Sequence, residues 1–196
     1  GAMPTISLRR LDGTPEAAAE LVRYTNKEKK YGVKYWSIGN EPSIYTELKY
    51  AKYNYTTEHL NREWRAIAQA MKKVDPSIKL MGPEIHQWNR SYESTLKDSA
   101  GRDWMIEFLK VNGDLVDVVT IHRYPMYSPS NPVTVESLRQ NTRMWAEEID
   151  YLRQVMRETI GRELPIASPN STRTPALPCS SKPRPIRSTT PSGMPL

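Results

Sequence analysis

Two kinds of apolar pattern alternate along the chain between residues 13 and 167. Short runs rich in β-branched and aromatic residues predict buried strands, and longer segments with apolar residues three or four apart predict amphipathic helices. Residues 6–11 are an uncertain further strand, because two arginines make them a poor core segment. The predicted strands are 33–38, 78–83, 116–121 and the start of another at 164–167, and the predicted helices are 14–30, 56–74, 104–110 and 135–159.

The regular alternation of strand and helix predicts an α/β fold with a parallel sheet and right-handed crossovers. Thr14 and Pro15 form a typical helix start, with a threonine cap followed by proline at the first helical position. With 196 residues, the chain forms one domain. It is shorter than the roughly 250 residues of a complete eight-stranded α/β barrel.

One predicted strand ends in a motif that carries chemistry. Residues 35–42 read Tyr-Trp-Ser-Ile-Gly-Asn-Glu-Pro, so Asn40 and Glu41 follow a buried strand directly. Pro42 cannot continue the ladder of a strand and favours an extended backbone at the residue before it. We therefore expect the carboxylate of Glu41 at the carboxyl end of the sheet, where parallel α/β folds place their active sites.

This motif resembles the acid/base signature of clan A, the retaining glycoside hydrolases built on a TIM barrel. Arabinofuranosidases, xylosidases and some endoglucanases carry the most similar signatures, and residues 13–22 resemble the segment that follows their third strand. The resemblance implies a partial (β/α)8 barrel, about half of the whole, with parallel strands four to seven and flanking helices. The N-terminal residues 1–12 are then a lead-in that begins with what looks like the remnant of a cleaved tag.

The resemblance also implies roles for the residues of the motif. Glu41 would be the general acid/base, Asn40 would bond a sugar hydroxyl, and Trp36 would belong to the substrate-binding set. A retaining enzyme needs a second carboxylate about 5–5.5 Å away as nucleophile. Glu84 is the candidate for that role because it also ends a predicted strand; the alternative is a loop acid or a substrate contact.

Further candidate substrate contacts follow the other strands. His122 and Tyr124 resemble the His-x-Tyr pair that lines the active site in these families, although His122 could equally be structural. His86 lies just beyond the second strand. Trp88 and Tyr45 are candidate platforms for stacking against sugar rings, with packing as the alternative.

The apolar pattern stops at Ala167. Residues 168–196 contain seven prolines and ten serines or threonines, a composition typical of a disordered tail. Shifting the reading frame by two bases, with permitted codons, turns 167–171 into Val-Thr-Glu-Phe-Asn, the nucleophile-bearing pattern expected from the resemblance. Our hypothesis is that this Pro/Ser/Arg-rich tail is out of frame and that the nucleophile is missing; the alternative is a proline-rich linker.

Charge and composition limit the partners. The net charge is +6, but four basic residues and no acid lie in the tail, so we expect no nucleic-acid partner. Neither a membrane-spanning run nor a signal segment is evident, and the single cysteine leaves a cytoplasmic or a secreted location open. The three histidines have no metal-ligand spacing, so we expect no metal and no cofactor.

The resemblance thus implies a glycoside hydrolase that acts on plant cell-wall polysaccharides or oligosaccharides. The alternative is a catalytically inactive, carbohydrate-binding or structural half-barrel. In either case the outer strands of a partial barrel would leave backbone groups unpaired and expose the side chains meant to fill the barrel. We therefore expect homo-oligomers that assemble through the exposed barrel edges.

Overall fold

The computed structural model describes residues 4–88, 96–124 and 134–169. Strands and helices alternate throughout these ranges, as the apolar pattern predicts. A single π-helical segment, Arg23–Glu28, continues the first helix. The strands are β1 (Thr5–Leu8), β2 (Tyr35–Ile38), β3 (Lys79–Ile85), β4 (Val118–Ile121) and β5 (Ile166–Ala167), and the helices are α1 (Pro15–Val22), α2 (Thr57–Val74), α3 (Trp104–Asn112) and α4 (Val135–Ile160).

The five strands form one parallel sheet in chain order, from β1 to β5. Each helix packs against the next one, α1 against α2, α2 against α3 and α3 against α4. A parallel sheet in which every connection carries a helix is the repeat of a (β/α) barrel. The predicted α/β fold is confirmed.

The sheet begins earlier than the sequence indicated. β1 pairs with β2 in register, with Thr5 opposite Tyr35 and Leu8 opposite Ile38. The two arginines that argued against this strand, Arg9 and Arg10, lie just beyond its end and do not interrupt it. The barrel sheet therefore extends into the first twelve residues, which the sequence placed in a lead-in.

Local sequence accounts for the helix starts that orient these elements. The Thr14 side chain accepts a hydrogen bond from the Ala17 amide at 3.1 Å, and Pro15 opens α1. Asp103 caps α3 by accepting from two backbone amides. Each cap satisfies amides that have no partner inside the helix, so each helix begins at a defined residue.

The helix-facing side of the sheet holds the densest part of the core. Trp64 of α2 and Phe108 of α3 are fully buried and meet edge to face, with ring centroids 5.0 Å apart. Both rings lie over Gly82 of β3, where a Cβ atom would come within 2.6 Å of the Trp64 indole nitrogen. The absence of a side chain at Gly82 thus allows the two rings to sit directly on the sheet.

The opposite face of the sheet is more enclosed than expected. Ser37, Met81 and Thr120 alternate with the helix-facing residues of their strands and are nevertheless buried. Ser37 and Met81 lie opposite each other in the register of β2 and β3. The expectation that barrel-filling side chains face water is therefore wrong for these three residues. Within the described residues, none of the helices combines the length and the apolar character needed to cross a bilayer.

Candidate functional site

Polar side chains from three adjacent strands meet at the carboxyl end of the sheet. Glu41 follows β2, Glu84 lies near the end of β3, and His122 follows β4. The Glu41 amide donates to the Glu84 carbonyl at 3.0 Å, and the His122 amide donates to the Ile85 carbonyl at 2.8 Å. Backbone pairing of neighbouring parallel strands thus brings together three residues that are far apart in sequence.

The backbone at both glutamates is left-handed. Glu41 has φ of 48° and ψ of 54°, and Glu84 has φ of 62°. The extended conformation expected for Glu41 before Pro42 is therefore wrong, because the hydrogen bond from its amide to Glu84 turns the chain sharply at this point. Such a conformation is uncommon for residues other than glycine and is concentrated at functional sites.

A single imidazole connects the two carboxylates. His122 Nδ1 lies 2.8 Å from Oε1 of Glu41, and Nε2 lies 2.7 Å from Oε2 of Glu84. The His122 side chain is almost completely buried. Glu41, Glu84 and His122 therefore form one cluster, with the histidine between two acids.

The Glu41 carboxylate receives further contacts and still reaches the surface. The Tyr124 hydroxyl donates to Oε1 of Glu41 at 2.9 Å, and Nδ1 of His86 lies 2.9 Å from the same oxygen. About 15% of the Glu41 side chain is exposed. Glu41 is thus the member of the cluster that a ligand from solvent could touch.

The surroundings favour ionised forms of both Glu41 and His122. Burial raises the pKa of Glu41, but hydrogen bonds from His122, His86 and Tyr124 outweigh it and hold that pKa well below its usual range. Burial lowers the pKa of His122, but its bonds to Glu41 and Glu84 outweigh burial and raise the pKa to about 9. At neutral pH the free protein therefore holds a carboxylate beside an imidazolium.

This pairing predicts a pH-dependent stability. The His122 pKa rises from about 6.5 in an unfolded chain to about 9 in the folded one. The stabilisation that results from this pKa difference is complete below pH 6.5 and is lost as the pH rises through 9. The free energy of unfolding should therefore fall by about 3 kcal/mol over this range. Glu41 has the opposite sign: its contribution is present above its unfolded pKa and is lost in acid.

Urea unfolding at a series of pH values measures this dependence. In a His122→Asn variant the decrease between pH 6.5 and 9 should disappear, since asparagine does not titrate. Equal free energies of unfolding at pH 6.5 and 9.5 in the unmodified chain would contradict the predicted charge on His122.

Glu84 differs from Glu41 in its burial. Only 2% of its side chain is exposed. The Ser37 hydroxyl donates to its Oε1, and its backbone amide donates to the Thr120 hydroxyl at 3.1 Å. The structure thus brings Glu84 to the predicted site but encloses its carboxylate inside the protein.

Asn40 and Tyr45 lie beside the cluster rather than in it. They line a cavity of about 410 Å³ together with Arg10 and Tyr50, and Glu41 is not among its lining residues. Asn40 is exposed, whereas Tyr45 is buried and its ring lies 5.0 Å from the Arg10 guanidinium. Asn40 is therefore accessible from solvent, and Tyr45 packs against its neighbours.

The two tryptophans predicted to contact substrate are core residues in this structure. Trp36 is fully buried, and its indole N–H donates to the Val33 carbonyl at 2.9 Å. Trp88 is also fully buried and stacks on Tyr151 of α4, with ring centroids 6.0 Å apart. Among the described residues, both rings are therefore enclosed by protein.

Sequence reasoning missed several residues that shape the site. Ser37 and Thr120 support Glu84 from the two neighbouring strands. The Gln87 side chain accepts from the Tyr124 amide at 2.6 Å, which orients the tyrosine toward Glu41. A hydroxyl residue inside an otherwise apolar strand next to a catalytic motif is the signal that could have identified Ser37 and Thr120.

No metal centre emerges in the described part of the chain. No group of three or more histidine, cysteine, aspartate or glutamate side chains there is arranged to hold an ion. The predicted tail lies outside the described residues from position 170 onward. The structure therefore does not test the frame-shift hypothesis.

Solved structures with a similar fold are barrel glycoside hydrolases. A family 44 endoglucanase from Clostridium thermocellum aligns with a TM-score of 0.58 and 22% identity, over 78% of this chain and 39% of that one. A family 44 xyloglucanase from Paenibacillus polymyxa gives 0.56 and 17%, over 74% and 38%. An arabinofuranosidase gives 0.58 and 20%, over 85% and 34%. Comparison with curated protein sequences gives no significant match.

These similarities confirm that the fold is part of a (β/α) barrel. The sequence profile of glycoside hydrolase family 44 matches residues 14–126, more than half of the chain, and the chain belongs to that family. The matched range contains Glu41, Glu84, His122 and Tyr124. The chain spans between 34% and 39% of the length of the three solved enzymes.

Proposed function

We propose that this chain carries the acid/base half of a glycoside hydrolase active site, with Glu41 as the general acid/base. The partly exposed carboxylate of Glu41 at the end of β2, contacted by His86, His122 and Tyr124, supports this role. Asn40 precedes it and faces solvent, in a position to bond a sugar hydroxyl. The substrate class is a plant cell-wall glycan, since the solved relatives are named as an endoglucanase, a xyloglucanase and an arabinofuranosidase.

The second carboxylate is the open part of the proposed mechanism. A retaining glycosidase forms a covalent intermediate with a nucleophile that touches the sugar. Glu84 is the other acid of the cluster, but it is buried and bonded at both oxygens. We propose that the nucleophile is not supplied by the described residues. A carboxylate placed beside Glu41 would also raise the pKa of Glu41 by like-charge repulsion, as a proton donor requires.

Hydrolysis assays on β-glucan, xylan, xyloglucan and aryl arabinosides test this function. Activity of the chain should fall by about a hundredfold in Glu41→Gln, because glutamine cannot transfer a proton. Glu47→Gln is the matched control, since Glu47 is an exposed glutamate a few residues later. Measurable and equal activity of Glu41→Gln and the unmodified chain would contradict the role of Glu41.

Sugar binding without hydrolysis is a second candidate function. It is favoured because His122, His86 and Tyr124 keep Glu41 ionised in the free protein. An ionised carboxylate can accept a hydrogen bond from a sugar hydroxyl but has no proton to donate to a leaving group. Calorimetric binding of cello- and xylo-oligosaccharides, with no product released from them, would support this candidate. Absence of both binding and hydrolysis would contradict both functions.

We also propose that the chain self-associates through its sheet edges. Within the described residues, β1 and β5 each pair with a strand on one side only. An edge strand presents unpaired backbone N–H and C=O groups that another copy could satisfy. Multi-angle light scattering at micromolar concentration should give a mass above that of the 22.5 kDa chain. A monomeric mass across the concentration range would contradict this proposal.

A further inference from the structure

The carboxylate of Glu84 is fully engaged inside the protein. Oε1 accepts from the Ser37 hydroxyl, and Oε2 lies 2.7 Å from Nε2 of His122. With 2% of the side chain exposed, no oxygen of Glu84 is available to a sugar. The position that the sequence assigned to a second catalytic acid therefore serves another purpose.

We propose that Glu84 is a positioning residue that acts through His122, fixing the imidazole in its doubly protonated form so that Nδ1–H is directed at Glu41. This inference rests on the proposed acid/base role of Glu41 and specifies how the state of that residue is set. Glu84 would then control the acid/base without touching the substrate.

With both acids ionised, the hydrogen-bond geometry requires two protons on the ring. A carboxylate only accepts hydrogen bonds, and each ring nitrogen of His122 faces one. A neutral imidazole carries a single N–H, so one nitrogen lone pair would point at a carboxylate oxygen. The imidazolium satisfies both contacts with charge-assisted bonds, which are stronger than neutral ones.

The backbone fixes the ring between its two partners. The His122 carbonyl accepts from the Trp88 amide at 2.9 Å, while the His122 amide donates to Ile85. The amide of Glu84 is bonded to Thr120 and its carbonyl to the Glu41 amide. Glu84 therefore joins the ends of β2, β3 and β4 through its main chain while its side chain holds the histidine.

In the described part of the chain, titratable groups from the ends of three strands surround this imidazole. Glu41 from the end of β2 and Glu84 from β3 contact its two nitrogens. His86 and Tyr124 lie next to it and share the Oε1 atom of Glu41 with it. Of these, Glu84 is the only buried acid, so its removal is the change that most directly tests the proposal.

The first test uses the unmodified chain and needs no substrate. Long-range ¹H–¹⁵N spectra of ¹⁵N-labelled protein at pH 7.5 should show both ring nitrogens of His122 protonated. A His122 ring with a single N–H at this pH would overturn the proposal. Because hydrolysis is not measured, this result is independent of whether the chain is an active glycosidase.

Variants at position 84 then test whether Glu84 is the cause of the double protonation of His122. In Glu84→Gln the titration midpoint of His122 should fall by about 1 to 3 pH units, since an adjacent negative charge is removed. In Glu84→Asp, which keeps the charge, the titration midpoint of His122 should stay close to that of the unmodified chain. Glu107→Gln, on α3 where this partly exposed glutamate pairs with Lys110, is the control and should leave the His122 midpoint unchanged.

Activity, where it is present, separates positioning from catalysis. A positioning role predicts that Glu84→Asp recovers activity together with the His122 midpoint and that Glu84→Gln shifts the pH profile. Loss of activity in Glu84→Gln with an unchanged His122 midpoint would overturn the proposal, because Glu84 would then act directly on the sugar. A fold intact in each variant is verified by the His59 resonance, on α2.

Discussion

Replacing His122 with alanine should lower the free energy of unfolding by about 3–5 kcal/mol at pH 7. The substitution leaves the Glu84 carboxylate buried without its positively charged partner and removes a hydrogen bond from Glu41. An uncompensated buried charge costs more than the original pair contributes. Urea unfolding measures the effect, with the midpoint and the slope determined separately.

A double variant distinguishes this cause from simple loss of packing. Adding Glu84→Gln to His122→Ala removes the unpaired charge, so the double variant should be more stable than His122→Ala alone. His59→Ala is the matched control: His59 contacts the Thr56 side chain but no carboxylate, and its loss should cost about 1 kcal/mol. A loss of 1 kcal/mol or less in His122→Ala would contradict the charged cluster.

Much of the site follows from strand order alone. Glu41, Glu84 and His122 each end a predicted strand, and parallel strands that are adjacent in the sheet bring their carboxyl ends together. The sequence therefore predicted that these three side chains lie at one edge of the sheet, as they do. It could not show that an imidazole would separate the acids, because that depends on side-chain directions after the turns.

The errors concern burial and local backbone. Trp36 lies in the motif and Trp88 just beyond the end of β3, yet both rings are fully buried. Alternation along a strand assigns a face without showing which one is covered. The left-handed turn at Glu41 depends on a hydrogen bond to Glu84, a contact between distant segments. Local preference before proline was overridden by this tertiary contact.

Replacing Trp64 with alanine should also destabilise the chain by about 3–5 kcal/mol. Trp64 is fully buried on α2 and meets Phe108 of α3 edge to face, so its removal opens a cavity between two helices and the sheet. Chemical denaturation followed by far-ultraviolet circular dichroism measures the loss. A cost below about 1.5 kcal/mol would mean that the site collapses around the missing ring.

The contact of Trp64 with Gly82 turns this result into a test of the packing itself. A Cβ at Gly82 would lie 2.6 Å from the indole nitrogen and 3.2 Å from a Phe108 ring carbon, so Gly82→Ala should cost about 1–3 kcal/mol through overpacking. In the Trp64→Ala background the closer clash is gone, and the same substitution should cost less than half as much. Equal costs in both backgrounds would show that the strand, rather than the indole, requires glycine here, since residues in contact are expected to couple.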